Sequence, residues 1–152
     1  MSTAPLKQQL TDEMKATMKS GDKARLGIIR LILSAIKQVE VDERIELDDA
    51  RILAVLDKMT KQRRESATQY QQAGRDDLLE QENYEIEVLK DFLPEALSDD
   101  EIDALIDEAV NSTGASSIKD MGKVMGQLKP RLQGRADMAA VSGKIKARLN
   151  AA

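Results

Sequence analysis

Apolar side chains in this chain recur three and four positions apart almost from end to end, and nowhere do apolar and polar residues alternate long enough to make a half-buried strand. The spacing predicts an all-α fold. A first helix carries Leu6, Leu10, Met14 and Met18 at i+4 steps and stops at Gly21, where Asp22 is placed to cap the next. The second, built on LGIIRLILSAIKQV at 26–39, is apolar over more than half its circumference and is read as the central helix. After EVDERIEL, Asp48 or Asp49 starts a third helix that runs through Ile52, Val55, Leu56, Met59 and Tyr70 to Gly74. A fourth begins near Asp77, with Glu80 three residues on as in a capping box, and shows Leu78, Ile86, Leu89 and Leu93.

The short AGRDD connection makes the third and fourth helices an antiparallel hairpin. Steps of about 100° per residue put Arg63 on the stripe of Ile52, Leu56, Met59 and Tyr70, and Glu82 and Glu85 on the stripe of Leu78 and Leu89. An arginine thus faces carboxylates across the seam, and we read the set as an ion pair that holds register rather than as acid/base machinery. Pro94 ends the fourth helix, and Ser98 followed by Glu101 is a second capping-box signature. The expected organisation is an N-terminal four-helix lobe over 1–93, a linker over 94–98 and a C-terminal three-helix lobe over 99–152.

In the C-terminal lobe, Ile102, Leu105, Ile106 and Ala109 lead to a stop at Gly114, and a further helix starts at Ser116 or Ser117. That helix is expected to bury Ile118, Met121, Val124, Met125 and Leu128, an arc opposite Lys119 and Lys123. Gly122 and Gly126 fall on or beside the lysine side. Glycines spaced four apart for helix packing would lie on the apolar arc instead, and each outward glycine costs about 1 kcal/mol of helix propensity relative to alanine. One account is that a phosphodiester backbone approaches the helix there, glycine removing the steric barrier and lysine supplying charge. Pro130 is expected to end or kink the helix, Arg131 and Arg135 flank Gly134, and Asp137 caps a last helix bordered by Lys144, Lys146 and Arg148. Arginines beside a helix N-terminus suit phosphate, and a purely structural turn is the other reading of the same residues.

Composition narrows the chemistry. At 152 residues the chain is about one ordinary domain or two small ones, and it has neither cysteine nor histidine. Disulfides, thiolate nucleophiles, the usual general base and the commonest metal ligand are thereby excluded. Of 23 Lys/Arg and 27 Asp/Glu, eight basic residues lie beyond residue 118 against only Asp120 and Asp137, a basic end inside an acidic chain. No stretch reads as a spanning helix, since Arg30 and Lys37 interrupt the longest apolar run, and MSTAPLKQQLTDEMK does not read as a secretory leader, so a cytoplasmic, non-membrane protein is expected. No phosphate-binding glycine loop, dinucleotide fingerprint or metal cluster is present in sequence, and Ser116, Ser117 and Lys119 sit where a helix cap is needed rather than in a hydrolase centre. With Phe92, Tyr70 and Tyr84 as the aromatics, base stacking on single strands is not favoured, and any nucleic acid is expected to bind through its backbone shape.

The run KQRRESATQYQQAGRDDLLEQENYEIEVLKDFLPEALSDDEI, followed by GASSIKDMGKVMGQLKPRLQGRADMAAVSGKIKARL, closely resembles the YqeY-like family of small bacterial proteins, over essentially the whole chain. That family is similar to the C-terminal helical and tail region of the kinase-like subunit of the bacterial tRNA-dependent amidotransferase, which amidates Glu-tRNA(Gln) or Asp-tRNA(Asn). A related domain is appended to some glutaminyl-tRNA synthetases, and in these proteins the tail contacts tRNA away from the chemical centre. Gly122, Gly126, Leu128, Lys129, Gly134, Arg135, Ala136 and Asp137 fall on the tail's glycine and lysine pattern. The sequence departs from it at Met138, where proline is common, and at Arg135 after Gly134; the capping role of Asp137 survives both.

What the resemblance implies is tRNA binding without catalysis, because the catalytic centres of the amidotransferase lie outside the similar region. The expected function is a non-catalytic tRNA-binding accessory module that needs no cofactor or metal. The expected contacts are Lys119, Gly122, Lys123, Gly126, Lys129, Arg131, Gly134, Arg135 and Lys144. Alternatives are an auxiliary role in carbon–nitrogen ligase activity with glutamine as amido donor, beside an amidotransferase or an aminoacyl-tRNA synthetase, and a protein-interaction module in translation.

Overall fold

The computed structural model describes residues 4–150; the first three residues of the stretch read above for a leader lie outside them. Among the described residues the chain forms seven α-helices and one 3₁₀ turn, and no strand. It divides into two compact units, one ending at Leu93 and the other beginning at Pro94.

The first unit contains α1 (Pro5–Ser20), α2 (Lys23–Glu43), α3 (Asp49–Gln72) and α4 (Asp76–Lys90). Its core is aliphatic: Leu10, Ile29, Ile32, Ile36, Ile52, Leu56 and Leu89 are wholly buried, the interdigitated packing that makes core positions intolerant of a lost methylene. Gly21 closes α1 at φ 78°, and the Asp22 carboxylate accepts the Arg25 N–H at 3.2 Å to open α2. Arg25 then spans the unit, donating at 2.7 Å to both Glu13 and Asp91 while its guanidinium lies 5.7 Å from the centre of the Phe92 ring.

α2 outruns its expected end at Val39 and continues to Glu43, because Glu40 is turned inward and satisfied there. Its carboxylate accepts from Lys7 Nζ at 2.9 Å and from the Leu47 N–H at 2.9 Å, and Arg44 then breaks the helix in the left-handed region at φ 57°. Asp48 caps α3 through the Arg51 N–H at 2.9 Å, while Asp49 accepts the Leu6 N–H at 3.0 Å and so joins the starts of α1 and α3.

α3 and α4 form the expected hairpin, with Arg63 and Glu85 facing each other at 4.0 Å, 17% and 13% exposed. The separation is long and Arg63 Nε is buried without a partner. Burial, reinforced by nearby Glu82, raises the Glu85 carboxyl above the usual range against the pull of Arg63. The capping box expected at Asp77 and Glu80 does not form. Helix α4 starts one residue earlier, no side chain caps it, and Asp77 spends its carboxylate on Arg75 at 3.2 Å.

The second unit contains α5 (Asp99–Thr113), the 3₁₀ turn Ile118–Asp120, α6 (Met121–Leu132) and α7 (Met138–Asn150). Val124, Leu128, Leu132, Val141 and Ile145 are buried against Ile102, Ile106, Ala109 and Val110 of α5. The Ser98 capping box closes in both directions, Glu101 N–H to Ser98 Oγ at 3.2 Å and Ser98 N–H to Glu101 Oε1 at 3.4 Å.

One expectation fails here. Ile118 is 40% exposed rather than buried, because it sits on a 3₁₀ turn whose three-residue period breaks the phase of the helix that follows. Pro130 does not end α6, which continues to the wholly buried Leu132. The bond Pro130 deletes would have ended on the Gly126 carbonyl. Both residues are exposed, so water can replace that bond.

Among the described residues, no helix is long and apolar enough to cross a membrane.

Candidate nucleic-acid interface

The basic C-terminal end does not amount to a basic unit. From Pro94 onward the chain holds eight Lys/Arg and nine Asp/Glu, because α5 brings Asp99, Asp100, Glu101, Asp103, Asp107 and Glu108 into the same body. Charge within this unit is segregated by face.

One group of cations is spent on α5. Lys144 lies 3.0 Å from Asp103 and 3.6 Å from Asp99, Arg131 lies 3.1 Å from Glu108, and Arg148 pairs with Asp107. The Asp103 bond is the main reason the Lys144 ammonium is held above its usual range. Arg135 is likewise occupied: its Nε donates to the Glu95 carbonyl at 3.1 Å, and its own carbonyl accepts the Leu97 N–H at 2.9 Å. Gly134, at φ 74°, makes the turn that allows this, since a left-handed residue with a Cβ would be strained there. The Gly134–Arg135 turn therefore fastens the approach to α5, and the Asp137 carboxylate takes the Ala139 N–H at the start of α7 at 3.1 Å. At this turn the Arg135 Nε is thus engaged by a backbone carbonyl of the chain itself.

The other group is free. Lys119, Lys123, Lys129 and Lys146 form no ion pair among the described residues, and all four are exposed. Asp120 feels the Lys123 charge, but its carboxylate is held by the Ser116 and Ser117 N–H groups at 3.0 and 3.3 Å. Those backbone donors, more than Lys123, keep the Asp120 carboxyl below its usual range.

Gly122 and Gly126 share this open side, and a Cβ on either would meet no atom within 4 Å. They are not needed for helix packing. Ser142 of α7 approaches the Met125 sulfur of α6 at 4.0 Å, which marks where the two helices meet. Turning from Met125 toward solvent, helical geometry brings Lys129, Gly122 and then Gly126; turning from Ser142, it brings Lys146 and then Gly143. Gly143 also has open space at its Cβ position. The α6–α7 seam is thus bordered by three side-chain-free positions and two lysines that form no ion pair among the described residues.

Of the nine residues expected from sequence, Lys119, Gly122, Lys123, Gly126 and Lys129 lie on the open face. Arg131, Gly134, Arg135 and Lys144 are built into contacts with α5 or the segment before it. Gly143 and Lys146 join the seam without having been in the set, although the SGK spacing in α7 repeats the glycine–lysine signal of α6.

A family profile described as Yqey-like protein matches residues 7–149. The chain belongs to the YqeY-like family. Relatives include a Clavispora lusitaniae protein, 37% identical over 114 residues, covering 73% of this chain and 66% of the relative. A Kluyveromyces lactis protein is 31% identical over 142 residues, covering 91% of this chain and 72% of the relative. Both are called Altered inheritance of mitochondria protein 41, mitochondrial. A Schizosaccharomyces pombe protein named only as uncharacterized is 34% identical over 95 residues, or 62% of this chain and 74% of the relative. The YqeY-like match thus includes both units, and the names of these relatives state no tRNA binding.

Proposed function

We propose that this protein is a non-catalytic tRNA-binding accessory module, working in the cytoplasm beside an aminoacyl-tRNA synthetase or amidotransferase. The observation that carries the reading is the pair of exposed glycines on α6, each with open space around it, flanked by lysines that form no ion pair among the described residues. A phosphodiester backbone can come within reach of the α6 main chain there, and the lysines can displace its counterions. The contact is to backbone, since the exposed face offers no aromatic platform.

The lack of cysteine and histidine in the sequence supports a binding role over a catalytic one. The reading is tested by filter binding of unfractionated tRNA at increasing salt. Retention at low salt should fall steeply as salt rises, and Lys123→Glu with Lys129→Glu should abolish it. No retention at low salt, or retention indifferent to the double reversal, refutes the assignment.

A further inference from the structure

A second surface lies in the first unit, on the side of α2 turned away from the core. Arg30, Ser34, Lys37 and Val41 follow one another at steps of four, three and four, so they form one straight stripe along the helix. The side of α1 that carries Lys7 and Met14 rises beside it. Two troughs, of ≈ 630 and ≈ 450 Å³, run along this α1–α2 seam and share Lys7, Lys37, Glu40 and Val41. From Arg30 to Val41 the stripe is about 16 Å long, three turns of helix, and the second trough carries it on to Ile45.

The seam combines apolar exposure with an excess of positive charge, Lys7, Arg30, Lys37 and Arg44 against Glu40 and Glu46. Val41 is 59% and Ile45 42% exposed, and the partly buried Leu33 and Met14 line the trough between the helices. Glu40 lies at the seam, but its carboxylate is consumed by Lys7 and by the Leu47 N–H. Arg30, Lys37 and Arg44 form no ion pair among the described residues, and Glu46 is the other carboxylate on the lining. A phosphodiester strand would satisfy the cations and leave the apolar positions in water. A wholly apolar segment would do the reverse.

We propose that the α1–α2 seam docks an amphipathic α-helix of a partner protein, its apolar stripe on Met14, Leu33, Val41 and Ile45 and its flanking carboxylates on Arg30, Lys37 and Arg44. Helix-in-groove recognition of this kind reads apolar anchors at i, i+3 or i+4 and i+7, which the three-turn trough accommodates. Charge complementarity selects an acidic helix over a basic one. This surface is separate from the α6–α7 seam and stands or falls without the tRNA reading.

The probe is a fluorescein-labelled peptide of leucine, alanine and glutamate, about four helical turns long, with leucines at helical spacing and glutamates flanking them. Its anisotropy is measured against the full chain. Two control peptides are used: one of identical composition with the spacing scrambled, and one with lysine in place of glutamate. Binding by the acidic amphipathic peptide alone, weakened about tenfold or more by Arg30→Glu with Lys37→Glu and separately by Val41→Asp, is the expected result. These positions are exposed, and thermal melting verifies that the variants fold. Equal binding of the scrambled peptide, or indifference to Val41→Asp, overturns the proposal. So does sedimentation with phosphatidylglycerol vesicles abolished by the same substitutions, which would assign the seam to a lipid surface. Loss of tRNA retention in Arg30→Glu with Lys37→Glu would likewise overturn it in favour of RNA.

Discussion

Lys144 Nζ lies 3.0 Å from Asp103 Oδ1, so a lysine that by position in the sequence belongs to the basic tail is neutralised by an acidic helix forty-one residues earlier. Lys123 and Lys129, in the same unit, have no such partner among the described residues. In a plot of log binding constant for tRNA against log salt concentration, Lys123→Gln with Lys129→Gln should reduce the slope by roughly 2. Lys144→Gln should leave the slope within error. Equal effects would mean that the ion pair with α5 does not withhold Lys144 from the anion.

Gly126→Ala separates the two costs of an exposed glycine. Its Cβ meets nothing within 4 Å, so the substitution should stabilise the fold by about 0.5–1 kcal/mol in urea denaturation. The same substitution should weaken tRNA binding, because a methyl group then stands where the backbone of the nucleic acid approaches. Tighter or unchanged binding in the more stable variant argues against close approach at α6.

Glu40 makes part of the first unit's stability depend on pH. Its carboxyl is held below the usual range first by the Lys7 ammonium and then by the Leu47 N–H. A carboxyl depressed in the folded state contributes stability that is complete above its unfolded value, about 4.3, and is lost as pH falls through the folded value. Glu40→Gln should cost about 1–3 kcal/mol at neutral pH, and the gap from the parent should narrow in urea titrations carried below pH ~4.

Glu85 shifts the other way, because burial disfavours its charge. Its contribution is complete below the unfolded value and is lost as pH rises through the raised folded value. Arg63→Met alone leaves that carboxylate buried without its cation and should destabilise the hairpin, whereas Arg63→Met with Glu85→Leu should be neutral or stabilising by about 1–4 kcal/mol. A thermodynamic double-mutant cycle measures the difference.

Two capping boxes look alike in sequence, and denaturation should tell them apart. Ser98→Ala should cost about 1 kcal/mol, since Ser98 and Glu101 satisfy each other's backbone N–H groups. Glu80→Ala should cost less than about 0.5 kcal/mol, because no side chain caps α4. Asp77 instead pairs with Arg75 at 3.2 Å, a local partner that competes with the cap.

The helices were legible because their cause is local. The 3.6-residue period put Leu10, Ile32, Leu56, Leu89, Val124, Leu128 and Ile145 on inward stripes before any neighbour was known, and glycines at 21, 74 and 114 marked where left-handed turns close helices. The outward placement of Gly122 and Gly126 followed from the same period. Local rules failed where a neighbour outweighed them: at Pro130, which the burial of Leu132 carries into the helix, and at Glu40, whose inward turn needs Lys7 from another helix.

By itself, then, the sequence determined the all-α class, the order of the helices and the side of each that turns inward, because periodicity and capping act over a few residues. Which cations are paired within the chain was decided only by tertiary structure. Lys144, Arg148 and Arg131 meet carboxylates across 41, 41 and 23 residues of chain, Arg135 meets a backbone carbonyl across 40, and pairing at that range depends on how the segments of this unit pack.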